Sequence, residues 1–151
     1  MNRNLSLYKL IPNMITLTAI AAGMTSIKFS IVSKWEEAVI AIVIAAFMDA
    51  FDGAAARLLK AQSKLGAELD SLSDFICFGV APAIMIFLWS TEDAGRFGWI
   101  MSLLFTMAVA LRLARFNISK EEERPDDPLS KYFTGVPSPV GAGLALLPMI
   151  V

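Results

Sequence analysis

Four apolar stretches, each close to the length that a bilayer demands, constrain this chain more than any other feature. They run roughly over 13–31, 37–59, 69–89 and 97–118. A helix needs ~20 predominantly apolar residues to cross the hydrocarbon core, and each stretch meets that requirement. Composition agrees, with 56% hydrophobic residues and a mean hydropathy of +0.62. A soluble domain breaks its apolar runs far more often. The expected fold is an all-α integral membrane helical bundle.

The segments between the spans carry ordinary punctuation. Pro12-Asn13 opens the first span, where proline suits a helix start. Lys34-Trp35 marks the turn into the second, and Ser90 to Arg96 a polar turn into the fourth. Gly79 and Pro82 predict a bend within the third. Lys120 to Lys131 reads as a charged loop, and residues 2–11 as a short interfacial helix. No removable signal peptide is expected at the N-terminus. The last apolar run, Val136 to Val151, has sixteen residues and holds Pro137, Pro139 and Pro148. It looks like the opening of a fifth span, so residues 1–151 are expected to be one membrane-embedded domain with its C-terminal part missing.

Basic residues give the orientation. Arg3, Lys9, Arg57, Lys60, Lys64, Arg112, Arg115, Lys120, Arg124 and Lys131 fall on one side of the spans, and only Lys28, Lys34 and Arg96 on the other. The positive-inside rule then puts the N-terminus and the loop after Arg57 in the cytoplasm.

The chemistry available is narrow. Histidine is absent, so acid–base work falls to carboxylates, Lys, Tyr or water. Cys77 is the single cysteine, which excludes an intrachain disulfide and a multi-thiolate metal site. Its simplest role is small apolar packing. Against this background Asp49, Asp52, Asp70 and Asp74 stand out, because they sit at the ends of two spanning segments. An Asp near the centre of a spanning helix costs roughly 2.5 to 3.5 kcal/mol, and less toward an interface. Positions 49, 52, 53 and 56 share one helical face, as do 66, 70 and 74. Two facing helices can therefore aim all four carboxylates at one point. Hard divalent cations favour such oxygen ligands, usually together with substrate phosphates.

Written as a pattern, the stretch is D-x-x-D-G-x-x-A-R, eight residues, then G-x-x-x-D-x-x-x-D, with Gly53, Ala56, Arg57 and Gly66 at the remaining fixed positions. It resembles the signature of the CDP-alcohol phosphotransferases, integral membrane enzymes of phospholipid synthesis that typically have six spanning helices. This chain supplies four and part of a fifth. The resemblance implies that Asp49, Asp52, Asp70 and Asp74 hold Mg²⁺ or Mn²⁺, two ions in all, with Asp74 also the general base. It further implies that Gly53 and Ala56 leave room for the cytidine and its phosphates, that Gly66 lets the turn bring the two helices together, and that Arg57 pairs with phosphate oxygens. A homodimer is implied as well.

Asp70-Ser71-Leu72-Ser73-Asp74, Phe78-Gly79-Val80-Ala81-Pro82-Ala83, Arg112-Leu113-Ala114-Arg115-Phe116-Asn117 and Phe133-Thr134-Gly135-Val136-Pro137-Ser138-Pro139 are similar to the branch of that family that joins CDP-diacylglycerol to L-serine. Arg112 and Arg115 are then candidates for holding the serine carboxylate or the lipid phosphate, against the simpler role of a snorkelling pair. Glycerol 3-phosphate is the alternative acceptor, with Arg112, Arg115 and Lys131 as its cationic pocket. Two readings from other classes are a cation or proton transporter, which spreads acidic groups through the bilayer depth, and a scaffold. Gly23, Ala41 and Ala45 are small enough to support helix pairing or dimerisation.

Overall fold

The computed structural model describes residues 10–59, 63–91, 93–122 and 138–150. The expected interfacial helix up to Lys9, Lys60, Lys131 and most of the Phe133–Pro139 motif lie outside them. Among the described residues the structure is helical, without strands. Helix α1 runs over Leu10–Ile31 and α2 over Trp35–Leu58. The third, α3, is one apolar helix over Lys64–Ser90. Helix α4 covers Arg96–Glu122 and the shorter α5 covers Ser138–Ile150. Helices α1 to α4 are each long and apolar enough to cross a membrane, so the chain is an all-α membrane bundle. Its outer surface agrees, with Met14, Met24, Phe47, Phe51, Phe97 and Leu111 all exposed.

Helices α1 and α2 form an antiparallel hairpin through a turn that closes on itself. Ser33 takes a left-handed φ of 57°. Its N–H donates to the Ser30 carbonyl at 3.1 Å, and the Lys34 N–H donates to the Phe29 carbonyl at 2.9 Å. This pair of bonds is a Schellman motif, with Ser33 at the position glycine usually fills. At the far end of α3, Phe87 meets Trp99 of α4 edge to face, with ring centroids 5.3 Å apart. Gly95 supplies the positive φ that the intervening turn requires.

Small residues set the packing between the first three helices. Ala19, Ala38, Ala45, Cys77 and Ala81 are fully buried, with Phe78 and Met85 filling the space between them. Polar groups in this core are satisfied across the interface: Ser26 Oγ donates to the Ala38 carbonyl at 2.8 Å. Gly23, Ala41 and Ala45 are therefore used for pairing within the chain. Helix α5 packs Ala142 and Leu146 into the same core.

Three boundaries differ from the sequence expectation. Helix α1 is already formed at Leu10 rather than from 13, so Leu10 and Ile11 of the expected interfacial helix belong to it. Helix α3 begins at Lys64 rather than near 69, because Ser63 caps it by accepting the Gly66 N–H at 3.0 Å. Hydropathy alone misses this turn, since Lys64 and Glu68 are charged. Helix α4 continues to Glu122, so Lys120 belongs to the helix rather than to the charged loop. The irregularity expected at Gly79 and Pro82 takes the form of a π-helical segment, Phe75–Val80, closed by the Ala81 N–H on the Ile76 carbonyl. Pro82 has no N–H to offer the Phe78 carbonyl, and the wider turn before it accommodates that loss. Gly79 lies in this segment because α4 comes close there: a Cβ would meet Val109 Cγ1 at 3.2 Å.

Candidate functional site

The last turns of α2 and the first turns of α3 carry the acidic residues. Helical spacing puts Asp49 and Asp52 one turn apart on α2, and Asp70 and Asp74 one turn apart on α3. Across the pair, Asp49, Asp52 and Asp70 each bring a carboxylate oxygen to within 4.8 Å of the others. Asp52 is the most sequestered of these, at 3% exposure. Asp74 lies outside this set of three. It stands against Asp49, the two carboxyls within hydrogen-bonding reach.

This donor set fits a hard divalent cation. All of its ligand atoms are carboxyl oxygens, the chemistry that Mg²⁺ and Mn²⁺ prefer. Asp49 Oδ1 and Asp74 Oδ1 are, moreover, buried without a hydrogen-bond partner. Buried carboxylate oxygens are rarely left that way, because an unmet acceptor costs about 1–3 kcal/mol and more for a charged group. A cation is the kind of partner that such oxygens lack. The acidic cluster contributed by α2 and α3 can therefore bind metal.

Thr16 of α1 completes the site and was not singled out from sequence. Its Oγ1 donates a short hydrogen bond to Asp52 Oδ2 and also lies 3.0 Å from the Pro12 carbonyl. The two residues are 36 positions apart, and a threonine in an apolar helix gives no local sign of such a partner. Ser71, next to Asp70, is joined to Asn117 of α4: Asn117 Nδ2 donates to Ser71 Oγ at 2.9 Å. Both residues stand in the quoted motifs, but a single sequence does not pair them.

The other motif residues take distinct places. Gly53 is half-buried, yet a Cβ there meets nothing within 4 Å, so open space adjoins the helix beside Asp52. Ala56 is also half-buried, one turn further on. Gly66 is not in the turn. It lies within the first turn of α3, where a Cβ would come within 3.1 Å of both Asn13 Oδ1 and Ser63 Oγ. A glycine at this place admits α1 beside the start of α3. Arg57 is exposed and bonds back to its own helix, Nε donating to the Gly53 carbonyl at 3.2 Å.

Of the two arginines on α4, Arg112 faces inward. It lines a cavity of about 170 Å³ with Phe105, Ala108, Val109, Gly141 and Ala142. Its charge also acts on Asp74, which places a positive group on that side of the site. Arg115, one turn along, is exposed.

Over 138 residues the chain is 41% identical to a CDP-diacylglycerol–serine O-phosphatidyltransferase of Helicobacter pylori, covering 91% of this chain and 56% of that protein. It is 39% identical over 134 residues to the protein of that name from Mycobacterium tuberculosis, covering 89% and 46%. The Bacillus subtilis protein of the same name is 35% identical over 137 residues, covering 91% and 73%. The chain thus spans about half the length of the first two relatives. No solved structure matches it. Residues 9–151 match the sequence family described as CDP-alcohol phosphatidyltransferase, and the chain belongs to that family.

Proposed function

We propose that this chain transfers the phosphatidyl group of CDP-diacylglycerol to the hydroxyl of L-serine, giving phosphatidylserine and CMP. The observation that carries the reading is the convergence of Asp49, Asp52 and Asp70 from two helices beside two unpartnered buried carboxylate oxygens. The names of the relatives supply the substrates. The site takes two Mg²⁺ or Mn²⁺ ions, held by Asp49, Asp52, Asp70 and Asp74. When bound, such ions offset the charge of the pyrophosphate and of the leaving CMP.

The chain's own residues do the rest. Asp74 receives the proton of the serine hydroxyl as its oxygen forms a bond to the lipid phosphorus and the bond from that phosphorus to the CMP oxygen breaks. A carboxylate buried at the site and next to the reacting hydroxyl is suited to that role. The open space at Gly53, with the small Ala56 one turn on, admits the cytidine and its phosphates. Arg57, at the mouth of the site, turns from the Gly53 carbonyl to phosphate oxygens. Arg112 holds the serine carboxylate or the lipid phosphate, and Arg115 assists from the rim. The site faces the cytoplasm, as the distribution of basic residues supports. A homodimer in the membrane is part of the same reading, formed through faces other than the one that buries Gly23, Ala41 and Ala45.

All four acidic residues lie toward one end of α2 and α3, which weighs against a transport path through the bilayer. The deciding experiment reconstitutes the full chain with CDP-diacylglycerol and equal amounts of L-serine and glycerol 3-phosphate, and identifies the lipid formed. Phosphatidylserine is expected, lost in EDTA and restored by Mg²⁺ or Mn²⁺. A phosphatidylglycerol phosphate product moves the acceptor to glycerol 3-phosphate. No lipid product from either alcohol, with cation present, overturns the enzyme reading.

A further inference from the structure

Helix α1 carries none of the acidic residues, yet it reaches the cluster through one side chain. Several serines and threonines of this bundle turn their hydroxyl back onto the carbonyl four residues earlier. Thr18, Thr25, Ser30 and Thr106 all do so, at 2.7–2.9 Å. Thr16 has the same carbonyl within 3.0 Å, at Pro12, but a carboxylate stands closer. One hydroxyl carries one hydrogen. A charged carboxylate accepts it more strongly than a neutral carbonyl does, so the proton goes to Asp52 Oδ2. Thr16 and Asp52 are each buried to 3% exposure, so water does not compete for either.

From this geometry we propose that Thr16 is a positioning residue, holding the Asp52 carboxylate in the orientation that a divalent cation requires. The inference rests on the metal reading given above. A carboxylate on a helix rotates about two side-chain bonds, and among the described residues Thr16 is the one side chain that donates to Asp52, beside the Gly53 backbone N–H. Fixing one oxygen leaves the second to face Asp49 and Asp70. Loss of an outer-shell hydrogen bond of this kind typically weakens metal affinity by about 10- to 100-fold. Because Thr16 sits on a separate helix, the bond also fastens α1 to the metal-bearing pair.

The test uses the purified full chain in detergent and reads thermal unfolding while Mn²⁺ alone is titrated in, so that turnover is not the only readout. Thr16→Val keeps the side-chain shape and removes the hydroxyl; Thr16→Ser keeps the hydroxyl. The Mn²⁺ concentration for half-maximal stabilisation is expected to rise about 10- to 100-fold in Thr16→Val and to return toward the parent in Thr16→Ser. The transfer rate at saturating Mn²⁺ should recover in Thr16→Val, whereas the rate at limiting Mn²⁺ should not. Equal Mn²⁺ dependence in the parent and Thr16→Val overturns the inference while leaving the metal reading intact. So does a loss of stability in Thr16→Val that is the same with and without Mn²⁺ and leaves the midpoint unmoved. If the parent itself shows no Mn²⁺-dependent stabilisation, the metal reading and this inference fall together.

Discussion

Gly23 of α1 and Cys77 of α3 meet so closely that a Cβ on Gly23 would lie 2.7 Å from Cys77 Sγ and 3.3 Å from its Cα. The thiol is buried and donates to the Ala19 carbonyl at 3.3 Å, so it has nowhere to retreat. This contact sets how near the helix bearing Thr16 comes to the helix bearing Asp70 and Asp74. Gly23→Ala gains about 1 kcal/mol of helix propensity, but overpacking costs about 1–3 kcal/mol. A lower Tm in detergent is expected. Adding Cys77→Ala should recover part of the loss, since it removes the sulfur and leaves the backbone contact. A Tm raised by Gly23→Ala would mean that the helices part freely at this point.

Asp74 differs from the other acidic residues in standing outside the set of three, against Asp49. Asparagine matches its shape but does not take up a proton at neutral pH. Asp74→Asn should therefore lower transfer by about 10²- to 10⁴-fold, while stabilisation by Mn²⁺ persists. Asp70→Asn should weaken that stabilisation itself. Substantial turnover by Asp74→Asn would remove it as the base, and loss of the Mn²⁺ effect would make it chiefly a ligand.

Gly53 separates a packing role from a substrate role. A Cβ there touches no protein atom, so Gly53→Ala is expected to leave Tm unchanged or raise it slightly, as alanine favours a helix by about 1 kcal/mol. The KM for CDP-diacylglycerol should nevertheless rise at least tenfold, because the methyl group enters the space assigned to the nucleotide. An unchanged KM would mean that the nucleotide lies elsewhere.

How much of this was legible in the sequence depends on the range of the forces involved. The spans were, because ~20 apolar residues suffice to define one. The acidic pattern was too, because the spacing of Asp49 and Asp52, and of Asp70 and Asp74, is local to each helix. The start of α3 was missed because a cap at Ser63 stabilises charged residues that hydropathy discounts. The contact that Gly66 relieves, with Asn13 of α1, lies far off in sequence and has no local sign. The Thr16–Asp52 and Ser71–Asn117 bonds span 36 and 46 residues. Such pairs follow from how helices dock, which helical periodicity within a single segment does not encode.

Arg112 offers the sharpest way to learn what the cavity between α4 and α5 holds. Among the described residues the pocket is lined by Phe105, Ala108, Val109, Gly141 and Ala142, with the arginine as its one charged wall, and its charge acts on Asp74. A guanidinium in such a place can bind a carboxylate or phosphate through two parallel hydrogen bonds. Hydrogen bonds to charged groups contribute about 1.5–3 kcal/mol, equivalent to roughly a 10- to 100-fold change in apparent affinity. Arg112→Gln is therefore expected to raise the KM for L-serine by that factor and leave the KM for CDP-diacylglycerol within about twofold. The opposite pattern would assign the guanidinium to the lipid phosphate. Arg112→Lys should fall between, since an ammonium keeps the charge but loses the two-pronged geometry. If neither KM moves, Arg112 serves only to snorkel at the membrane edge, and the acceptor is held by other residues.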